Sequence, residues 1–221
     1  MSILTSALLT EAGFVHGFTT RSTGDFARGE DDPGPLIPCV RTCSQVHGAE
    51  VFEVDDADPA QVPADALIAR KGAAVAIRVA DCVPILIADV RRGHVAAVHA
   101  GWRGVVAGVL PAACAKLDAA PLDLRVAVGP CIQACCFEVS AEVARTIADA
   151  TDPLCIVHAS RNDAPPHVDL RRAIESQLRA LGIDAFEHVG GCTRCDPRYH
   201  SYRRDGARSG RMLGFVQPRS T

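Results

Sequence analysis

No run in the 221-residue chain is long and apolar enough to cross a bilayer as a helix, so no membrane partner is expected. Basic charge is not in excess either. Charged residues make up 22% and the formal net charge is -3, which disfavours nucleic acid as a main partner. The N-terminal MSILTSALLTEAGF has no basic n-region and meets Glu11 early, a poor signal peptide, and a cytoplasmic location is the expectation. No internal repeat or low-complexity segment is present. The eight histidines form no repeated His-x-His pairs, which argues against multicopper oxidation. The single CxxC, Cys192 to Cys195, lacks the second pair of a closed zinc site and reads as structural. The length fits one large domain or two small ones.

Cysteine, in contrast, is plentiful. Ten cysteines in a secreted mini-protein would imply disulfides, but this chain is too long and core-rich to need them. In a reducing compartment most are small buried hydrophobes, and one or two carry chemistry. Cys131, Cys135 and Cys136 crowd CIQACCFEV with no histidine nearby, which reads as turn and core.

Chemistry concentrates between Ala80 and Gly104. Cys82 and His99 stand at equivalent ends of two apolar runs, Val83 to Val90 and Val95 to Val98, joined by Arg91-Arg92-Gly93. Such runs predict buried strands, and neighbouring strands would bring the thiol and the imidazole to one sheet edge. His47, in QVHG, is a third candidate, although a lone histidine is more often a hydrogen-bonded structural residue than a ligand. One Cys and two His would leave a tetrahedral zinc with an open position, the pattern of catalytic sites. Asp81, beside Cys82, could orient a ligand or act as a base.

Strands are also expected at Phe14 to Thr20, Val40 to His47, Ala64 to Ile68, Ala73 to Val79, Leu124 to Val128 and Phe186 to Val189. The segments from Asp25 to Pro38 and from Asp55 to Pro63 read as loops. Gly104 is predicted to open a helix whose free N–H groups, with Arg103 beside them, offer an anion site; Pro111 should kink or break that helix. Arg21, at a strand end before Ser22-Thr23-Gly24, is either an anion grip or a solvated turn residue. Ser140 should cap a helix running to Ala150, and Asp169 a second one ending at Gly182. Arg203, Arg204, Arg208 and Arg211 form a basic patch that could bind a phosphate or a subunit, or simply be solvated.

In this order TTRSTG, QVHGA, ADALI, VADCVPILIAD, AAVHAGWRG, GPCIQACCFEV and CTRCDPRYHSYRRDGARSGR resemble the laccase-domain, polyphenol-oxidase-like (YfiH-like) family. The resemblance implies a single α+β domain over residues 1–221, built as a four-layer α/β/β/α sandwich. It implies a metal site of His47, Cys82 and His99, with Zn2+ favoured over Cu2+. It also implies small-molecule partners, a nucleoside and phosphate: phosphorolysis of adenosine, guanosine, inosine and methylthioadenosine, with adenosine deamination. Three departures from the family pattern stand out, the last of them bearing on the pocket rim and substrate choice. Ser22-Thr23-Gly24 replaces a common GG, Ile174 stands where Asn is frequent, and the loop before QVHG is shortened.

The leading expectation is therefore a zinc-dependent purine nucleoside enzyme, with Arg21, Arg103 and Gly104 holding phosphate. A second is a cysteine-dependent hydrolase or amidase, editing a peptidoglycan precursor, in which Cys82 is a nucleophile activated by His99 or His47. A copper polyphenol oxidase ranks third. A non-catalytic, metal-stabilised binding module would require another cysteine, such as Cys131, to close the coordination sphere.

Overall fold

In the computed structural model, residues 2–27, 40–54, 59–157 and 164–219 are described. The first elements are β1 (Ile3–Leu4), α1 (Ala7–Glu11), β2 (His16–Thr19), β3 (Val40–Arg41), β4 (Val51–Val54), β5 (Ala66–Ala69) and β6 (Ala74–Val79). A hairpin follows, β7 (Val83–Asp89) and β8 (Val95–Ala100), then α2 (Trp102–Ala107), α3 (Val109–Leu117), β9 (Leu124–Val128) and α4 (Ala141–Ala150). The chain ends with β10 (Ile156–Val157), β11 (His167–Val168), α5 (Leu170–Ala180), β12 (Phe186–His188), α6 (Tyr202–Asp205) and β13 (Met212–Val216). It is a mixed α+β domain with two principal sheets, ordered β1-β2-β13-β6-β3 and β12-β9-β7-β8-β5-β4.

The strands of the larger sheet read as unbroken apolar runs because both of their faces are covered. Ile85, Ile87, Val98 and Val126 point to one core, shared with Val105, Leu110, Leu117, Ile147 and Ile174 of the helices. The alternate residues Leu67, Leu86, Ala97 and Ala127 point the other way, against Val75, Ile77 and Val216 of the smaller sheet. The outer face of the smaller sheet carries Ala74, Ala76, Leu213 and Phe215, on which Phe26, Ile3 and Val40 pack.

The β7–β8 hairpin sets the site. Asp89 closes its turn by accepting from the Arg91 and Arg92 N–H groups, and Gly93 takes a left-handed φ of +76°. Its register pairs Pro84 with His99, so Cys82 and His99 reach the same sheet edge as expected.

Elsewhere the boundaries differ for physical reasons. Val40 to His47 is a strand only at Val40–Arg41, with a single further bridge from Ser44 to Pro63, and Asp65 captures residues 46–48 into a turn. The helix after His99 opens at Trp102 and breaks at Gly108 (φ +81°), not at Pro111. Pro111 sits in the first turn of α3, where its missing N–H has no intrahelical partner to lose. Ser140 and Asp169 cap α4 and α5 by accepting from the N–H groups of Val143 and Arg172. Residues 28–38 and 55–58 of the two expected loops lie outside the described residues. Among the described residues no helix is long and apolar enough to cross a membrane.

Candidate active site

His47, Cys82 and His99 converge: one ligand atom from each lies within 4.8 Å of the others. His99 is buried in β8, Cys82 half-buried just before β7, and His47 exposed on the 46–48 turn. The two imidazole rings meet edge to face, centroids 4.8 Å apart. The three side chains thus close a corner from inside outward, with one side open to a cavity of about 960 Å³.

Asp65 organises this corner, and it is fully buried. His99 Nδ1–H donates to its Oδ1 at 2.7 Å, which leaves Nε2 turned toward the thiol, where it can ligate once it gives up its proton. The same carboxylate accepts from the N–H groups of Val46 (3.2 Å), His47 (3.0 Å) and Gly48 (2.6 Å). His47 needs that support, since its φ of +61° is left-handed. Burial raises the Asp65 carboxyl, but His99 and these N–H groups outweigh it and hold it below the usual carboxylate range. Burial likewise pushes the Cys82 thiol up, while His99 and His47 more than compensate and bring it down to about 6. His99 moves the other way, up to about 9: burial opposes its charge, and the Cys82 thiolate and Asp65 carboxylate favour it.

Asp65 appears in the sequence only as an acid before the apolar ALIA run. Nothing local reveals that it grips a turn 17–19 positions away. Gly101 is the second residue not foreseen. A Cβ there would stand 3.0 Å from His47 Cδ2 and 3.1 Å from Cys82 Sγ, so glycine is what lets β8 run into α2 behind the ligands.

The other expected site residues take different places. Asp81 lines the cavity, yet both its oxygens are engaged: Thr193 Oγ1–H donates at 2.5 Å and the Arg203 N–H at 2.6 Å. It therefore anchors the tail to the site rather than offering a free base. Arg21 is paired with Asp205 at 2.8 Å and is not among the cavity-lining residues. Arg103 is exposed and stacks on Trp102, 4.5 Å from the ring centroid, also off the lining. Gly104 lies inside α2 instead of opening it; a Cβ there would meet the Gly48 carbonyl at 3.1 Å, so its role is close packing. Among the described residues the cavity's arginines are Arg78, Arg203 and Arg211. Two of them belong to the tail's basic patch: Arg203 donates through Nη1 to the Glu138 carbonyl and Arg211 through Nη1 to the Ser209 and Gly210 carbonyls, while Arg204 is paired with Asp205 and with carbonyls of its own segment. Phe137, Tyr202 and Ile132 supply the apolar wall.

The donor set suits a metal ion. Two imidazoles and a thiolate are borderline-to-soft ligands, apt for zinc and also accepted by copper. Cys131 is buried against Cys192 and is not part of this group, so it does not close the sphere.

A family model described as multi-copper polyphenol oxidoreductase laccase matches residues 36–219. A purine nucleoside phosphorylase of Streptomyces coelicolor is 38% identical over 179 residues, covering 78% of this chain and 72% of its own. An adenosine deaminase from an unknown prokaryotic organism is 36% identical over 170 residues, covering 73% and 65%. The crystal structure of YlmD from Geobacillus stearothermophilus superposes with a TM-score of 0.81 at 28% identity, covering 97% of this chain and 94% of that one.

Proposed function

We propose that this chain, which belongs to the multi-copper polyphenol oxidoreductase laccase family, is a zinc-dependent purine nucleoside phosphorylase that also deaminates adenosine. The carrying observation is the convergence of His47, Cys82 and His99 on the wall of a cavity that also presents three arginines and an aromatic wall. Its volume, about 960 Å³, falls at the upper end of ordinary small-molecule sites. The purine nucleoside phosphorylase and adenosine deaminase among its relatives support the same reading.

When bound, zinc held by these three side chains supplies Lewis acidity to a water or a substrate oxygen. The remaining work falls to the chain itself. Asp65 fixes the His99 tautomer and the 46–48 turn, so both imidazoles are oriented before substrate arrives. Phe137 and Tyr202, with Arg203 and Arg211 over their rings at 5.5 and 5.9 Å, form the wall against which a purine would lie. Arg78, Arg203 and Arg211 replace Arg21 and Arg103 as the groups that hold phosphate against the ribose. In phosphorolysis a phosphate oxygen bonds the anomeric carbon as the C–N glycosidic bond breaks, its electrons leaving with the purine. In deamination water adds at C6 of adenine and ammonia departs.

One observation favours a second reading. Cys82, His99 and Asp65 form a thiol–imidazole–carboxylate chain, the arrangement of a cysteine nucleophile with its base and orienting acid. Metal content separates the two. Purified protein and Cys82→Ala are analysed for zinc and assayed with adenosine and with inosine plus phosphate. Phosphate-dependent release of purine, lost together with zinc on chelation and restored by zinc, is the expected result. Turnover that survives full chelation would move the chemistry to the cysteine.

A further inference from the structure

Four more thiols meet on the far side of the cavity wall. Cys135 and Cys136 lie on the turn after β9, Cys192 and Cys195 on the turn after β12, and all four sulfurs fall within 4.8 Å of one another. Cys136 and Cys195 are 3.2 Å apart and Cys135 and Cys195 3.7 Å. Four sulfurs about 2.3 Å from one zinc ion are necessarily about 3.8 Å from each other, so this spacing suits a single tetrahedral ion. A multi-iron cluster, with its sulfurs spread around a larger core, fits less well.

The surrounding backbone is arranged for it. The turns are locked together by a parallel bridge between Cys131 and Cys192, with the Thr193 N–H donating to the Cys131 carbonyl at 3.0 Å. The backbone N–H groups of Gln133, Cys195 and Arg194 point at the Cys192 sulfur. Backbone donors converging on the first sulfur of a CxxC turn form a cradle for a thiolate. Arg204 wraps the same turn, donating to the carbonyls of Thr193 (3.0 Å), Arg194 (3.3 Å) and Tyr199 (2.7 Å). Two sulfurs are buried and two exposed, which gives an entry path.

The geometry points to a second metal centre: Cys135, Cys136, Cys192 and Cys195 bind one zinc ion as a closed tetrathiolate. The ion enters as the four thiol protons leave to solvent, and no electron moves. The single CxxC finds its missing second pair in the adjacent cysteines roughly 60 positions earlier. The ion staples two turns that serve the site: one carries Ile132 and Phe137 of the cavity wall, the other Thr193, which holds Asp81. Nothing in this assignment depends on the nucleoside reading.

The test uses the full chain with the other site disabled. Cys82→Ala protein should retain about one equivalent of zinc, and adding Cys135→Ser and Cys195→Ser should remove it. Cobalt(II) added to the folded, metal-stripped Cys82→Ala chain should give the intense visible and thiolate charge-transfer bands of a tetrahedral tetrathiolate; this measurement stands even where the serine variant does not fold. A folded Cys82→Ala chain that binds neither zinc nor cobalt would overturn the assignment. So would a native Cys136–Cys195 disulfide, seen as a mass lower by two hydrogens in protein purified without reductant.

Discussion

Replacing Asp65 with Asn tests the organisation of the site at its root. The substitution keeps size and shape and removes one acceptor edge. In the native chain one carboxylate receives four donors, His99 Nδ1–H at 2.7 Å and the N–H groups of residues 46, 47 and 48 at 3.2, 3.0 and 2.6 Å. The amide oxygen can serve only one edge of that set, while its NH2 faces donors on the other. Two hydrogen bonds to a buried charged acceptor are thereby lost, at about 1.5–3 kcal/mol each, so the expected destabilisation is about 3–6 kcal/mol. For a domain of this size that is a fall in Tm of roughly 6–24 °C. If the amide turns its NH2 toward His99, the imidazole moves its proton to Nε2 and can no longer present a lone pair to a metal. Loss of such an outer partner typically weakens metal binding about 10–100-fold. Chelator competition and calorimetric melting of Asp65→Asn beside the native protein measure both effects. A variant melting within about 2 °C of native, with native metal affinity, would refute the account of Asp65 as organiser.

Further outcomes follow from single contacts. Gly101→Ala has an ordinary φ of -70° but drives a Cβ against His47 and Cys82, so metal affinity and turnover should fall by about 10-fold or more with the far-UV spectrum unchanged. Arg211→Gln should raise the KM for phosphate about 10-fold while that for nucleoside moves little, and Arg21→Ala should leave both unchanged; steady-state kinetics reads each. His16 is buried, its Nδ1–H donating to the Phe14 carbonyl and its Nε2 accepting from the Ser6 N–H, both at 2.8 Å. Only the neutral ring fits, and burial holds its pKa below the ordinary 6.5. Its stabilisation is therefore complete above that value and is lost as pH falls, because the unfolded chain takes up the proton first. Urea melts should show His16→Gln about 1–3 kcal/mol less stable than native near pH 7.5, with the gap narrowing toward pH 5.5.

What the sequence discloses about this molecule depends on how far each contact reaches along the chain. The β7–β8 hairpin is legible because its runs are apolar on both faces and its turn is local, and legibility there extends to Cys82 and His99 at the paired ends. The caps at Ser140 and Asp169 are legible because each acts within three residues. Asp65 is not, since its partners come from a turn that only the folded chain brings beside β5. The arginines show the same limit: Arg21 and Arg211 look alike in sequence, but the sheet edges send one to Asp205 and the other to the cavity. The cysteines carry it furthest. The pairing rule that judged Cys192 and Cys195 incomplete was sound chemistry applied to neighbours in the chain. Yet β9 and β12 are parallel neighbours in the sheet, so the turns that leave their equivalent ends must meet. A parallel pair thus turns two unremarkable sequence clusters into one donor set, and a metal bound there would tie together the turns that complete the active-site wall.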